Sequence, residues 1–386
     1  MKVAAIIAEY NPFHNGHKYQ IQNIRSLGYK AIIVLMSSSF VQRGEPAIFD
    51  KWTRAEAALR NGADLILELP HIYSTSNAEI FAKGAIHLLK HTPMTDLFFG
   101  AEDSMESLLQ LQHQLRQIPL HRLKYYLNQG YSHIKARELS LREFLSPNEI
   151  LVLKQPNNIL ALEYLKYLPP SVKAHAMPRK SVHHKSLEPK DHMASATLIR
   201  QKIRQNKDFA PYVPVNLLEL YKTTIFNDWE NYKRIVQYAL LKESHKLSRY
   251  YDYEPGLENR LTKFRQSSTL QEIITKSSSK RYTKSRISRL LLSLLLDNDR
   301  HFIEKSFTTY YLRVLGMNST GAGILRSIQK NYQVINRFAR IQSLEDPVMT
   351  TIAKKEAWAT DLYNLMGGIS EQDYYQSPLF KETDEV

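Results

Sequence analysis

The first hundred residues alternate short apolar runs with amphipathic segments. Four runs of mostly bulky or β-branched apolar residues are predicted as strands, at 3–10, 30–37, 63–70 and 95–102. Runs of this kind are typical of strands that are buried on both faces of a parallel sheet. The segments between them, 17–28, 51–62 and 77–91, repeat apolar residues at helical spacing, and the first two end at glycine. This alternation predicts βαβ units, and hence a Rossmann-like open parallel α/β sheet.

Beyond residue 104 the pattern becomes mainly helical. One more strand is predicted within 171–184, and a helix opens at 194–206 with Ser195 or Thr197 as its cap. After about residue 212 no strand pattern persists, and apolar residues recur at helical spacing in 215–226, 231–242, 268–279, 285–297 and 321–332. The sequence therefore predicts an α/β domain over residues 1–210 followed by an all-α domain over residues 211–386, a division that suits the length of the chain.

The stretch NPFHNGH (residues 11–17) stands between the first predicted strand and the first predicted helix. Ligands of open α/β sheets bind beyond the carboxyl ends of the strands, and the unpaired N–H groups at a helix start favour anions. Gly16 lets the backbone approach a ligand closely. His14 and His17 could direct two imidazole N–H donors at one phosphate and stabilise charge that develops at a reacting phosphorus. We therefore predict His14 and His17 as catalytic residues.

Two other interpretations of these histidines stay open at this point. They could be incidental turn or cap residues. They could also form half of a zinc site, with ligands recruited from His183, His184 and His192.

A second motif, SATLIR at 195–200, begins another predicted helix. Together, HNGH and SATLIR resemble the two signatures of the HIGH-type nucleotidyltransferases, enzymes that attack the α-phosphate of a nucleoside triphosphate and expel pyrophosphate. The resemblance implies that Ser195, Thr197 and Arg200 hold the β- and γ-phosphates of ATP. Hydroxyls, free helix amides and a forked guanidinium suit that task, although a capped helix with an exposed arginine would have the same sequence.

Composition narrows the class of protein. The 52 lysines and arginines exceed the 38 acids and give a formal charge of +14, which favours a polyanionic partner such as RNA or DNA over a merely solvated surface. Cysteine is absent, which excludes disulfides, thiolate zinc sites and cysteine nucleophiles and suits a reducing compartment. The first apolar run is too short for a signal peptide or a membrane span. We expect a cytoplasmic protein with no membrane partner.

The positive charge is concentrated in one segment, SSSKRYTKSRISR at 277–289, which contains no acid. Helical spacing would place Lys280 with Lys284, and Arg281 with Lys284, on shared faces opposite a buried apolar stripe. Such a basic ridge is typical of a surface that binds an RNA backbone, although a solubilising face would look similar. Five cations are predicted to bind RNA here: Lys280, Arg281, Lys284, Arg286 and Arg289.

A closer resemblance covers most of the chain. The stretches 3–21, 36–70, 146–165, 178–187, 195–200, 256–261 and 280–292 are similar to the tRNA(Met) cytidine acetate ligase family, and the block RGEPAIFDKWTRAEAAL at 43–59 is specific to it. The resemblance implies that ATP activates acetate as acetyl-adenylate. The acetyl group then passes to N4 of the wobble cytidine, position 34, of elongator tRNA(Met).

Carried over by position, the resemblance implies an ATP site. The implied ATP ligands are Ile7, Ala8, Glu9, Tyr10, Asn11, Pro12, Phe13, His14, Asn15, Gly16, His17, Lys18, Tyr19 and Gln20, with Gly100, Asn157, Arg179, Ser195, Thr197 and Arg200. Independently of the resemblance, the charge of Arg43, Lys51 and Arg54 could serve ATP phosphates or the tRNA backbone, or simply face solvent from a loop and helix. Mg²⁺ is expected on the phosphates, and no protein metal site is predicted.

The sequence departs from the family pattern at two places, Ser38–Ser39 and Ala196, both close to the predicted site. Two other functions are weighed beside the ligase. A small-molecule adenylyltransferase would not need the basic helical region, and a non-catalytic RNA-binding protein would not need His14, His17 and Arg200 intact. A monomer is favoured.

Overall fold

The computed structural model describes residues 2–131, 133–178, 193–370 and 373–382. Within these ranges the strands are β1 (Val3–Ala8), β2 (Ala31–Ser37), β3 (Phe40–Val41), β4 (Glu45–Pro46), β5 (Leu65–Leu69), β6 (Asp96–Ala101), β7 (Lys173–Pro178), β8 (Leu312–Met317), β9 (Val334–Ile335) and β10 (Leu379–Phe380). The main sheet has the order β10-β8-β5-β2-β1-β6-β7, with β9 beside β8. The five strands from β5 to β7 are parallel, whereas β8 runs antiparallel to β5. Strands β3 and β4 form a separate antiparallel hairpin.

The described residues contain eighteen α-helices. In the first half they are α1 (Asn15–Ser26), α2 (Lys51–Arg60), α3 (His71–Ser74), α4 (Ala78–Leu89), α5 (Met105–Gln117), α6 (Leu120–Asn128), α7 (His133–Arg142), α8 (Pro147–Val152), α9 (Pro156–Tyr167) and α10 (Ala196–Arg204). In the second half they are α11 (Leu218–Thr223), α12 (Lys233–Glu243), α13 (Leu257–Phe264), α14 (Leu270–Ser277), α15 (Lys284–Leu296), α16 (Arg300–Ser306), α17 (Ser319–Gln329) and α18 (Pro347–Gly367).

The apolar runs form strands because helices cover both faces of the sheet. In β2, Ile33 and Leu35 belong to one apolar cluster, while Ile32 and Val34 belong to the cluster on the opposite face. A third cluster fills the helical region around 229–296. The predicted α/β class with an open, mostly parallel sheet is confirmed.

The prediction that only helices follow residue 212 is wrong, because β8, β9 and β10 lie there and β8 and β10 extend the main sheet. Sequence periodicity missed β8 because Arg313 interrupts its apolar run LRVLGM. That arginine is buried in the strand, where it donates to Glu68 at 2.9 Å and to Asp373 at 2.6 Å and 2.8 Å. The second half therefore supplies part of the sheet, and the boundary near residue 210 stays a prediction.

The sheet has one topological switch point. From β1 the chain adds β2 and then β5 on one side, and later adds β6 and β7 on the other. Loops that leave β1 and β6 consequently diverge at their carboxyl ends and open a crevice there, which is where ligands of such sheets bind.

Candidate active site at the switch point

The loop after β1, residues 9–14, which we call the ATP loop, makes a sharp turn into α1. Tyr10 adopts a left-handed backbone conformation with φ of 47°, which is uncommon for a residue other than glycine. His14 is the N-cap of α1 and its backbone is extended. The turn therefore places His14 at the amino end of a helix and at the carboxyl end of the central strand.

Two backbone hydrogen bonds fix the imidazoles. Nδ1 of His14 accepts from the N–H of Gly16 at 3.0 Å, and Nδ1 of His17 accepts from the N–H of His14 at 3.3 Å. The two rings stack with 3.8 Å between their centroids. Because each Nδ1 is an acceptor, the neutral ring carries its proton on Nε2, so each histidine presents an Nε2–H donor. A Cβ at Gly16 would lie 2.9 Å from Cε1 of His14, so a larger residue there would displace the ring.

Two buried arginines hold the backbone of the ATP loop. Nη1 of Arg54 donates to the carbonyl of Glu9 at 2.7 Å and to that of Ser37 at 2.9 Å. Nη1 of Arg200 donates to the carbonyl of Asn11 at 2.8 Å. Burial lowers the pKa of each guanidinium, and neighbouring acids oppose that shift. The two arginines therefore fix the exit of β1, where carbonyl groups need partners once the strand ends.

The SATLIR motif meets the ATP loop through Arg200. Ser195 caps α10 and accepts from the N–H of Leu198 at 3.2 Å, as predicted for a helix start. Thr197 Oγ1 lies 3.5 Å from Nη2 of Arg200. In the structure the side chain of Arg200 is buried and supports the loop, and its predicted contact with phosphates stays a prediction.

The opposite wall of the crevice comes from β6 and α9. Gly100 lies near the end of β6, beside β1. Asn157 donates to the carboxylate of Glu102, which also accepts from the N–H of Asn158 at 3.0 Å. The side chain of Asn158 accepts in turn from the N–H groups of Glu102 and Asp103.

Sequence reasoning missed Asn158 and Glu102 as the pair that fixes this wall. The signal available was an Asn-Asn pair at a helix start and an acidic pair after a strand. Neither feature by itself says that the two segments meet.

The remaining predicted ATP ligands divide by position. Ile7 and Ala8 end β1, and Tyr10 and Phe13 are buried with their rings 4.8 Å apart. The residues on the first two turns of α1 are half-buried: Asn15, Gly16, His17, Lys18, Tyr19 and Gln20. Pro12 is buried within the ATP loop. Arg179, and the histidines at 183, 184 and 192 considered for zinc, lie outside the described residues.

Two of the cations considered for RNA binding are buried instead. The ammonium of Lys51 is 1% exposed and donates to Glu68 at 2.7 Å, Asp373 at 2.8 Å and Thr360 at 3.0 Å. All three of its protons are thus used inside the protein, which contradicts a role at the tRNA surface. Arg54 is likewise fully buried and donates only to backbone carbonyls.

The basic segment, residues 280–289, differs from the predicted ridge. Helix α15 begins only at Lys284, after the N-cap Thr283, so Lys280 and Arg281 precede the helix and share no helical face with Lys284. Lys280 and Lys284 are exposed, and neither forms an ion pair with any described residue.

Two acids, Asp252 and Glu254, which are distant in sequence, neutralise the arginines of this segment. Arg281 pairs with Glu254, and Arg286 donates to the same carboxylate at 2.9 Å. Arg289 binds Asp252 in a bidentate pair at 2.9 Å and 2.7 Å. The two lysines are therefore the cations most available to a phosphate backbone here.

Other features bear on cofactors and location. In the described ranges, no group of three or more histidines, cysteines or acids is placed to hold a metal ion. No helix in those ranges is both long and apolar enough to cross a membrane. Ser38 and Ser39, one of the departures noted above, are buried at the end of β2, and Ala196 is the first residue of α10.

Known proteins are similar to this chain in sequence over nearly its full length. The model of the HIGH Nucleotidyl Transferase family matches residues 1–377. The tRNA(Met) cytidine acetate ligase of Thermoanaerobacter pseudethanolicus is 38% identical over 385 residues, which cover 95% of each chain. The ligase of the same name from Caldanaerobacter subterraneus is 36% identical and is covered completely, over 99% of this chain.

Solved structures give the same result. The apo crystal structure of Thermotoga maritima TmcAL matches with a TM-score of 0.88 at 29% identity, covering 99% of this chain and 100% of that one. The crystal structure of the same protein bound with alpha-thio ATP matches with a TM-score of 0.87 at 30% identity and the same coverage. This chain therefore belongs to the HIGH nucleotidyltransferase family, and within it to the tRNA(Met) cytidine acetate ligases.

Proposed function

We propose that this protein activates acetate with ATP and transfers the acetyl group to N4 of the wobble cytidine, position 34, of elongator tRNA(Met). The observation that carries the proposal is the stacked pair His14 and His17 at the amino end of α1, with both Nδ1 atoms occupied by backbone amides. The full-length similarity to ligases of that name supports the choice of substrates.

In the first step a carboxylate oxygen of acetate attacks the α-phosphorus of ATP. A new P–O bond forms, the bond to the β-phosphate oxygen breaks, and pyrophosphate leaves. The Nε2–H groups of His14 and His17 and the free amides of α1 donate to the phosphate oxygens as their charge grows. No general base is required, because acetate is already ionised at neutral pH.

The buried arginines contribute to this step through the backbone. Arg54 and Arg200 hold the carbonyls of Glu9 and Asn11, so the imidazoles reach the phosphates without reorganising. Ser195 caps α10, and Thr197 in its first turn lies near Arg200; both are proposed to face the distal phosphates. Gly100 and Asn157 on the opposite wall are proposed to bound the nucleotide.

In the second step the N4 amine of cytidine attacks the acetyl carbonyl. A C–N bond forms, the bond from the carbonyl carbon to the AMP oxygen breaks, and the amine gives up a proton. The base must be splayed from the anticodon loop, where bases are already accessible. Lys280 and Lys284, with Arg43 at the neighbouring hairpin, are proposed to hold the RNA backbone.

Mg²⁺ belongs to the proposal as part of the ATP substrate. Near the loop, Glu9 accepts from the N–H of Gln42, and Glu102 accepts from Asn157 and Asn158. Both carboxylates already accept hydrogen bonds from the protein, and we propose that the phosphates themselves hold the ion. When bound there, Mg²⁺ would neutralise phosphate charge.

The test is acetylation of purified elongator tRNA(Met) with labelled acetate and ATP, followed by mass spectrometry of the nucleosides. We expect N4-acetylcytidine that depends on both ATP and acetate, and no product on an initiator tRNA used as control. Adenylyl transfer to a small acceptor without RNA acetylation would instead support a small-molecule adenylyltransferase. RNA binding without any ATP turnover would support a non-catalytic RNA-binding protein.

A further inference from the structure

The hairpin of β3 and β4, residues 40–46, contacts both the ATP loop and the basic segment; we call it the bridging hairpin. On one side the N–H of Gln42 donates to Oε1 of Glu9 at 3.0 Å. Phe40, at the base of the hairpin, packs in the apolar cluster of the helical region against Tyr232 and Tyr363. The hairpin is thus the element through which these two regions can communicate.

A second, indirect contact with the ATP loop runs through an ion pair with Arg200 of α10. Glu45 Oε1 lies 3.4 Å from Nη2 of Arg200, whose Nη1 holds the carbonyl of Asn11 at 2.8 Å. Oε1 of Glu45 and Nε of Arg200 are both buried, and neither forms a hydrogen bond with another described group. A buried polar atom that lacks a hydrogen bond costs about 1–3 kcal/mol, and an ion pair at 3.4 Å offsets only part of this cost. A small movement that closes this pair would therefore be favourable.

The contact with the basic segment is steric. Gly44 has a φ of +77°, and a Cβ built on it would lie 2.4 Å from the backbone nitrogen of Arg289 and 2.6 Å from its Cα. The tip of the hairpin consequently rests directly on the backbone of α15. Arg289 is itself fixed to Asp252 by two hydrogen bonds. A displacement of α15 towards the hairpin would therefore move the hairpin as well.

We propose that Glu45 is a positioning residue and that the bridging hairpin couples RNA binding at the basic segment to ATP binding at the ATP loop. A phosphate backbone on Lys280 and Lys284 shifts the start of α15, the hairpin follows through Gly44, and Glu45 closes on Arg200. Such coupling makes each ligand strengthen the binding of the other. It also favours activation of acetate when the acceptor is present, which limits hydrolysis of the acyl-adenylate.

The inference rests on the proposed function, and the experiment separates the two. The dissociation constant of elongator tRNA(Met) is measured by fluorescence anisotropy with and without saturating alpha-thio ATP. We expect the nucleotide to tighten tRNA binding by about 5- to 10-fold in the unmodified protein. In Glu45→Gln, which removes the charge but keeps the shape, we expect this factor to fall to about one.

A matched pair of glycine variants isolates the steric contact. Gly44→Ala and Gly130→Ala both place alanine at a left-handed position, with φ of +77° and +84°, but a Cβ at Gly130 meets no atom within 4 Å. Gly44→Ala should lose the coupling and Gly130→Ala should keep it. A factor of one in the unmodified protein, or an unchanged factor in Glu45→Gln, would overturn the inference while leaving the proposed function intact. Failure of either ligand to bind the unmodified protein would count against both.

Discussion

Two groups of cations in this protein differ in solvent exposure and in the partners of their donor atoms. Lys51, Arg54 and Arg200 are buried and donate mainly to carboxylates or backbone carbonyls inside the molecule. Lys280 and Lys284 are exposed and form no ion pair with a described residue. In the sequence all five were candidates to bind phosphate. The difference teaches that a cation contributes to a ligand site only if folding leaves its donors unused.

The buried cations contribute to the stability of the fold. A buried charge must be paired, because desolvation of an isolated ion is costly. Although burial opposes it, the charges of Arg313 and Lys51 hold the pKa of Asp373 well below its usual range. Lys51, Glu68, Arg313 and Asp373 thereby join the amino end of α2, strand β5, strand β8 and the segment after α18.

The largest effect is expected from breaking that group. Lys51→Met should lower the free energy of unfolding by about 3–5 kcal/mol, because it leaves Glu68 and Asp373 with one cation fewer in a buried site. Chemical denaturation monitored by circular dichroism measures it. Lys280→Met serves as the control and should change the stability by less than about 0.5 kcal/mol. A loss below about 1 kcal/mol in Lys51→Met would contradict this prediction, because it would mean that the buried carboxylates tolerate the loss of one cation.

The next effect concerns the imidazoles that the buried arginines support. His14→Ala or His17→Ala should lower acetate-dependent ATP–pyrophosphate exchange by about 10²- to 10³-fold, because each removes one donor to the reacting phosphate. The affinity for tRNA, measured by filter binding, should stay within about threefold of that of the unmodified protein, since the exposed lysines Lys280 and Lys284 are proposed to bind the RNA backbone. Loss of tRNA binding with exchange retained would reverse the assignment of the two regions.

The smallest effect should appear within the basic segment itself. Lys280→Gln and Lys284→Gln should each reduce the salt dependence of tRNA binding by about one unit of slope in log Kd against log salt, as expected for one phosphate contact. Arg281→Gln should change the slope less, because Glu254 already shares that charge. Lys330→Gln, on an exposed lysine at the end of α17, is the control. Equal slopes for Arg281→Gln and Lys280→Gln would show that the ion pair opens on binding.

Much of the first half of the fold could be predicted because its patterns are local. The runs at 3–10 and 30–37 became β1 and β2, and the helix predicted from residue 17 begins at Asn15, after its N-cap His14. Strand β8 could not be predicted in the same way, because Arg313 looks like a surface residue until Glu68 and Asp373 are brought to it. The acids that neutralise Arg281, Arg286 and Arg289 are at least twenty-seven residues away in sequence and left no mark on the periodicity of 277–289.

The candidate site divides along the same line. The sequence by itself determined that His14 and His17 lie at a helix start after a strand and that Ser195 caps a second helix. Helix starts and strand ends are set by neighbouring residues. Only the tertiary structure decided which cations face a ligand, that Arg200 holds the carbonyl of Asn11, and that Gly44 rests on Arg289. The physical reason is that the role of a charge depends on its solvent exposure and on its partners, and both are properties of packing between segments that are distant in the chain.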